Sequence, residues 1–265
     1  MSTAPSYIRF FQSIGAQCIA ALRETGKAAE IGWGGIRKIV PHAFVRRNFR
    51  EIVLQMYAGG IKSLGVVTIV AIFIGMIMAL QIGIELRVYN QEAYIAPAVM
   101  ATMLREMAPF MAGLILAACV GSSMAAQLGT MTINEEISAL ELMSIDPVRF
   151  LVMPRMVSMM ILLPLLSFYT AMMGVIGGAV VGYVQFTVPF LSYYQLAMDF
   201  ADSRALFVGL FKALLFGILI TTIACYEGFS SQKGAVGVGM ATRACVIKSF
   251  LFILIVGYFV TRLFY

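Results

Sequence analysis

Long uncharged runs alternate with short polar stretches along most of this chain, and the pattern predicts five membrane-crossing helices. The first run covers residues 63 to about 84, with Lys62 at one end and Glu85 and Arg87 at the other. About 20 consecutive apolar residues span the hydrocarbon layer as a helix, so this run crosses once. The run from 93 to 129 is too long for one perpendicular crossing at about 1.5 Å per residue, and must tilt, kink or protrude. Pro109 supplies a kink site, because it has no N–H to give and crowds the preceding turn. Residues 156 to 198 carry no charge at all. They hold the third crossing and an apolar outer loop with Pro189, Tyr193 and Tyr194, while Pro164 and Gly174, Gly177, Gly178 and Gly182 allow bending and close helix approach. A fourth crossing, 205 to 226, is interrupted only by Lys212, and a fifth runs from about 244 to the C-terminus. Lys248 and Arg262 stand close enough to the ends of the fifth to snorkel.

Composition agrees. Of the 265 residues, 61% are hydrophobic and 12% charged, outside the balance of a soluble globular domain, so the fold class is all-α and integral to a membrane. Nine of the nineteen basic residues lie in the first 62 positions, opposed only by Glu24, Glu30 and Glu51. Ile8, Phe10, Phe11, Ile14, Ile19 and Leu22 recur there at roughly helical intervals. This reads as a basic, amphipathic segment over residues 1–60 lying in the membrane surface, ahead of a five-helix transmembrane domain over 61–265. The basic excess points to anionic lipid headgroups rather than nucleic acid. Cys18, Cys119, Cys225 and Cys245 have no C-x-x-C spacing, so neither disulfides nor a metal site are expected.

The one sizeable charged stretch between long apolar runs is the hairpin from 129 to 155. Thr132 and Glu135 have the spacing of a T-x-x-E capping box, which predicts a short helix beginning there. Glu135 and Glu136 fall in its first turn, where the unpaired N–H groups favour carboxylates. Ile133, Ile137, Leu140 and Ser144 follow on one face, and Asp146-Pro147 reads as the N-cap and first residue of the next helix. An amphipathic helix held between two crossings needs something to receive its apolar face. Basic residues in the first 62 positions and in the 228–243 loop, against weakly acidic loops at 85–92 and 199–204, put the N-terminus and this hairpin in the cytoplasm and the C-terminus outside.

Three ionisable side chains interrupt the crossings: Arg105 and Glu106 in the second, Lys212 in the fourth. Such groups are costly at membrane depth and face a cavity, a partner or water. Adjacent helical positions are about 100° apart, so Arg105 and Glu106 point in different directions. One arrangement brings Glu106 and Lys212 together across the bundle; the other solvates the 105–106 pair and lets Lys212 snorkel. The nineteen methionines suit a deformable lining for an acyl chain, or serve as apolar filler. Gly237-Val-Gly239 lacks the strand a dinucleotide fingerprint requires and reads as a flexible turn. There is no phosphate-binding G-x-x-x-x-G-K-[ST] loop, and the single histidine is His42. The chain is therefore expected to carry no ATP-hydrolysing loop, no histidine-centred catalytic or metal group and no cofactor, and energy coupling has to come from a second protein or an ion gradient.

Leu104 to Pro109 (LREMAP), Gly121 to Met131 (GSSMAAQLGTM), Glu136 to Pro147 (EISALELMSIDP), Pro154-Arg155, Gly209 to Lys212 (GLFK) and Gly234 to Arg243 (GAVGVGMATR) together resemble the MlaE-type ABC permease family, over roughly residues 50–265. The resemblance implies a homodimeric permease with a membrane-surface N-terminal helix and five crossings, in a bacterial inner membrane. It also implies a cytosolic ABC ATPase, an MCE-domain lipid-binding protein on the far side and, in some members, a STAS-domain regulator, with phospholipid as cargo. On it, the hairpin helix becomes the ATPase coupling element, with Glu135, Glu136, Ile137, Leu140, Glu141, Met143 and Asp146. Glu106 and Lys212, with Arg105, fall on polar positions near the lipid cavity. The family commonly has an acid about two turns before that lysine; here Ala205 takes its place and Asp202 is the nearby substitute, beside Arg204. An ion-coupled carrier using Glu106 as a proton site, and a scaffold recruiting a lipid-binding protein, are the competing classes.

Overall fold

The computed structural model describes residues 46–232 and 234–265, together with 26, 28, 30–35 and 37. Most of the N-terminal segment read as lying on the membrane surface, residues 1–25, 27, 29, 36 and 38–45, falls outside these residues, and its last part, from Phe49, belongs to the first crossing stretch. All regular structure among the described residues is helical, and five stretches are long and apolar enough to cross a membrane: Phe49–Val88, Glu92–Ile133, Val148–Phe186, Ser203–Phe229 and Ala235–Phe264.

The first stretch joins α1 (Arg46–Met56) to α2 (Lys62–Val88) through a π turn, Tyr57–Ile61. α2 buries Val67, Ala71, Gly75, Ala79 and Gly83, one residue per turn and all but one small. That seam meets the long third crossing, α7 (Met153–Phe186), at backbone distance: a Cβ on Gly75 would overlap the carbonyl of Gly174. Small residues replace the hydrophobic effect as the reason two helices associate where the surroundings are already apolar.

The second stretch, 42 residues long, is divided into α3 (Ile95–Thr102), α4 (Ala108–Leu116) and α5 (Ser122–Ile133) by two π turns, Met103–Met107 and Ala117–Gly121. At about 1.5 Å per residue a straight helix of this length would reach about 60 Å, twice the hydrocarbon thickness. The break expected at Pro109 takes the form of the π turn just before it. Pro109 has no N–H to return to the Arg105 carbonyl, and the helix widens there.

Two expectations are corrected. The supposed outer loop after the third crossing is a helix, α8 (Phe190–Asp199), which lies against α3 and α7 and buries Tyr193. Its lack of charge reflects packing: Val188, Tyr193 and Ala197 belong to the same cluster as Ile95, Val99 and Met103. The fifth crossing, α10 (Ala235–Phe264), starts well before 244 and includes Gly237 and Gly239. Only the bend after α9 (Ser203–Phe229) separates it from the fourth crossing, with Gly234 at φ +92°. Gly237 is small because Gln232 of that bend passes over it, where a Cβ would overlap the Gln232 carbonyl.

α9 is the central helix, packed by α5, α7 and α10, and its Phe216 and Ile220 join Leu116, Met159 and Leu163 in the main core. α10 and α2 are the peripheral crossings and expose large apolar side chains, among them Phe73, Ile77, Leu254 and Phe259. Five crossings place the C-terminus at the end of the bundle opposite the hairpin after α5.

Candidate functional site

The polar residues inside the bundle converge on α9. Lys212 is 1% exposed, and its three ammonium protons are all used: Nζ donates to Glu106 Oε2 at 2.7 Å, to Thr261 Oγ1 at 2.7 Å and to the Arg105 carbonyl at 3.1 Å. The last of these is the carbonyl that Pro109 leaves without an α-helical donor, so the widened turn and the buried lysine satisfy each other. Thr261 Oγ1 lies 3.0 Å from Glu106 Oε1 and 2.9 Å from the Gly257 carbonyl. The Glu106 side chain is 32% exposed and opens on a groove of about 150 Å³ walled by Phe110, Phe216, Ile253, Leu254 and Tyr258. Snorkelling by Lys212 is excluded: fully enclosed, it is anchored inward by three acceptors.

Arg105 points away from the pair, as adjacent helical positions require. Its guanidinium lies 4.8 Å from the centre of the Tyr265 ring, and Arg204 lies 5.4 Å from the same ring. Arg204 also donates to the Phe264 carbonyl at 2.6 Å. Asp202 is not part of this cluster. It caps α9, accepting from the Arg204 N–H at 2.9 Å, and stands ten residues, about 15 Å of helix, from Lys212. There it adjoins an apolar groove of about 190 Å³ between Met100, Leu104, Phe168, Met172 and Met198.

Lys248 does not snorkel either. Its ammonium pairs with Glu227 at 2.7 Å, near the Tyr226 ring, and joins α9 to α10 at the end opposite Thr261. Among the described residues no three His, Cys, Asp or Glu side chains converge as a metal site would need.

At the other end, the short helix after α5 is α6 (Glu136–Leu142). The expected capping box does not form. Thr132 is still inside α5, with its hydroxyl on the Leu128 carbonyl at 2.8 Å, and the chain turns at Glu135, whose φ is +60°. α6 closes through a left-handed residue, Ser144, with the Ile145 N–H on the Leu140 carbonyl at 2.9 Å. The Asp146-Pro147 start signal is realised: Asp146 Oδ1 accepts from the N–H of Val148 at 3.0 Å and of Arg149 at 3.4 Å.

The apolar face of α6 has a receiver within the chain. Ile137 and Leu140 pack on Leu128, Leu151, Val152, Met156 and Cys225. Facing outward are Glu135, Glu136, Glu141 and an apolar knob made by Leu142, 87% exposed, with Met143 and Ile145. Leu142 and Ile145 were not singled out in the sequence, although Leu142 stands two residues from Leu140 and so on the opposite side of a helix. Thr261 was missed as well; its only signal was a hydroxyl inside an apolar run.

Residues 52–263 match the family described as Permease MlaE. The chain belongs to the MlaE permease family. A probable ABC transporter permease protein of Rickettsia conorii is 34% identical over 254 residues, 96% of each chain. One from Synechocystis is 32% identical over 218 residues, 82% of this chain and 83% of its own. The intermembrane phospholipid transport system permease protein MlaE of Haemophilus influenzae is 28% identical over 257 residues, 97% of each. The permease is thus a multi-pass membrane subunit of an ABC transporter.

Proposed function

We propose that the permease carries phospholipid between the inner and outer membranes of a bacterium, as a homodimer whose power comes from a separate cytosolic ATP-binding-cassette ATPase. The observation that carries this reading is the enclosed Lys212–Glu106–Thr261 cluster at the wall of an apolar groove. Glu106, the member of the cluster that opens on the groove, offers a fixed carboxylate to a headgroup, and the groove offers an apolar wall to a chain. The printed name of the Haemophilus relative supports phospholipid as the cargo.

In this reading α6 lies in the cytoplasm and the C-terminal end of α10 faces the periplasm, where an MCE-domain protein exchanges lipid with the cavity; a STAS-domain regulator completes some assemblies of this kind. The segment ahead of the first crossing lies on the membrane surface, and the five crossings form the permease domain. The knob Leu142-Met143-Ile145, with Glu135, Glu136 and Glu141 around it, enters the ATPase. Ile137 and Leu140 tie α6 to α5, α7 and α9, so that a push on the knob moves the crossings. The capped corner at Asp146 keeps that linkage stiff.

The test is reconstitution with and without the cognate ATPase, following transfer of labelled phospholipid to an acceptor. Transfer that depends on ATP hydrolysis is expected. Full transfer without nucleotide would sink this reading in favour of an ion-coupled carrier.

A further inference from the structure

A second polar groove, of about 260 Å³, lies between the start of α2 and the α4–α5 junction, toward the α6 end of the bundle. It is far along the crossings from Lys212. Its polar lining consists of Gln55, Lys62, Ser63, Ser123, Gln127 and the thiol of Cys119. The apolar remainder includes Val66, Val120 and Met124. One π turn from each of these two crossings, Tyr57–Ile61 and Ala117–Gly121, borders it, and the widened backbone makes the hollow.

The electrostatics of the groove are one-sided. Lys62 has no ion-pair partner among the described residues, and no acidic side chain belongs to the lining. Behind Gln127 stands Arg155, 8% exposed. It donates to the Leu151 carbonyl at 2.8 Å and approaches Gln127 Oε1 at 3.4 Å, while its Nε has no partner. A buried guanidinium with an unused N–H, served only by neutral acceptors, carries a desolvation cost that an anion would offset. Glu51 acts on Arg155 only through its field and makes no ion pair with it.

The flank of the groove decides what kind of anion. Tyr57, Ile61 and Val66, all more than half or about half exposed, continue its wall onto the apolar outer surface. A soluble phosphate gains nothing there, whereas a lipid lays its chains along it and brings only its headgroup inside. An ammonium-bearing headgroup finds no carboxylate to pair with. We infer that this groove binds the phosphate of an anionic phospholipid headgroup from the leaflet at the α6 end. The permease then has headgroup sites at both ends of its crossings, one beside Glu106 and one at Lys62. This extends the lipid-handling reading and rests on it.

Cys119 gives a local readout, since its thiol is exposed in the groove while Cys225 and Cys245 are buried. Full-length permease in mixed micelles is alkylated with a maleimide, and Cys119 is followed by peptide mass analysis. Phosphatidylglycerol should slow the reaction at least about tenfold, the worth of roughly one charge-assisted hydrogen bond, and phosphatidylcholine should not. Protection should vanish in Lys62→Gln, at an exposed position where folding is not at stake, and in Gln127→Leu, checked by its melting temperature because it also takes an acceptor from Arg155. Equal protection by phosphatidylcholine, protection by inorganic phosphate alone, full protection in Lys62→Gln, or a Cys119 unreactive even without lipid would each overturn the inference. Lys212→Gln separates the two readings: a normal transport rate there counts against the proposed function, and leaves Cys119 protection as a separate result.

Discussion

Gly209 of α9 and Leu104 of the second crossing meet backbone to backbone, so closely that a Cβ on Gly209 would overlap the Leu104 carbonyl oxygen. The contact falls three residues before Lys212 and one before Arg105, and it sets how far the ammonium must reach. Because neither side of the contact is the flexible end of a side chain, the helices themselves have to part if Gly209 gains bulk. Gly209→Ala is expected to cost about 1–3 kcal/mol through overpacking. Thermal unfolding in detergent should register it, and lipid transfer should fall with it; an unshifted melting temperature would show that the helices separate freely.

The two halves of the ion pair differ in exposure, and their removal should differ too. Glu106→Gln leaves Lys212, 1% exposed, without its counter-charge, and should destabilise by about 3–5 kcal/mol. Lys212→Met leaves Glu106, 32% exposed, able to turn toward the groove, and should cost less. The double variant should be milder than the sum of the singles, with the coupling read from a double-mutant cycle. Additive losses would mean that the pair contributes no interaction of its own.

On α6, Leu142 and Leu140 are two residues apart and should fail in different ways. Leu142→Asp, at an 87% exposed position, should release the ATPase from the purified complex and leave the melting temperature of the permease unchanged. Leu140→Asp places a carboxylate at a half-buried position against the Leu151, Val152 and Met156 cluster and should destabilise the permease itself by about 1–3 kcal/mol, through lost packing and partial desolvation of the charge. If Leu142→Asp keeps a normal complex, the knob is not the docking element.

Asp146→Ala removes the cap that joins α6 to the third crossing and should cost about 1 kcal/mol. The larger effect should be on coupling: ATP hydrolysis should continue while lipid transfer per ATP falls. Equal reductions in both would place Asp146 outside the transmission path.

Much of this arrangement was legible in the order of residues. Five apolar runs bounded by charges give five crossings, because an uncharged helix of that length has no other solvent. The spacing of Ile137 and Leu140 identified an apolar face, and Asp146-Pro147 a helix start. What misled was local chemistry overruled by contacts from afar. Thr132 had the sequence of a cap but continues α5, where its hydroxyl also lies 3.2 Å from the Gly228 carbonyl of α9. The uncharged stretch around Tyr193 looked like a loop and is a helix, held by a pocket between α3 and α7.

By itself, then, the sequence determined the all-helical membrane fold, the number of crossings and the identity of the costly charges, since burial in an apolar solvent depends on composition and run length alone. Tertiary structure decided which charges meet. Glu106, Lys212 and Thr261 come from three different crossings, and only the close approach at Gly209 and the turn widened before Pro109 bring one ammonium within reach of all its acceptors. It also decided which face of α6 is free, because the cluster that claims Ile137 and Leu140 is assembled from three different crossings.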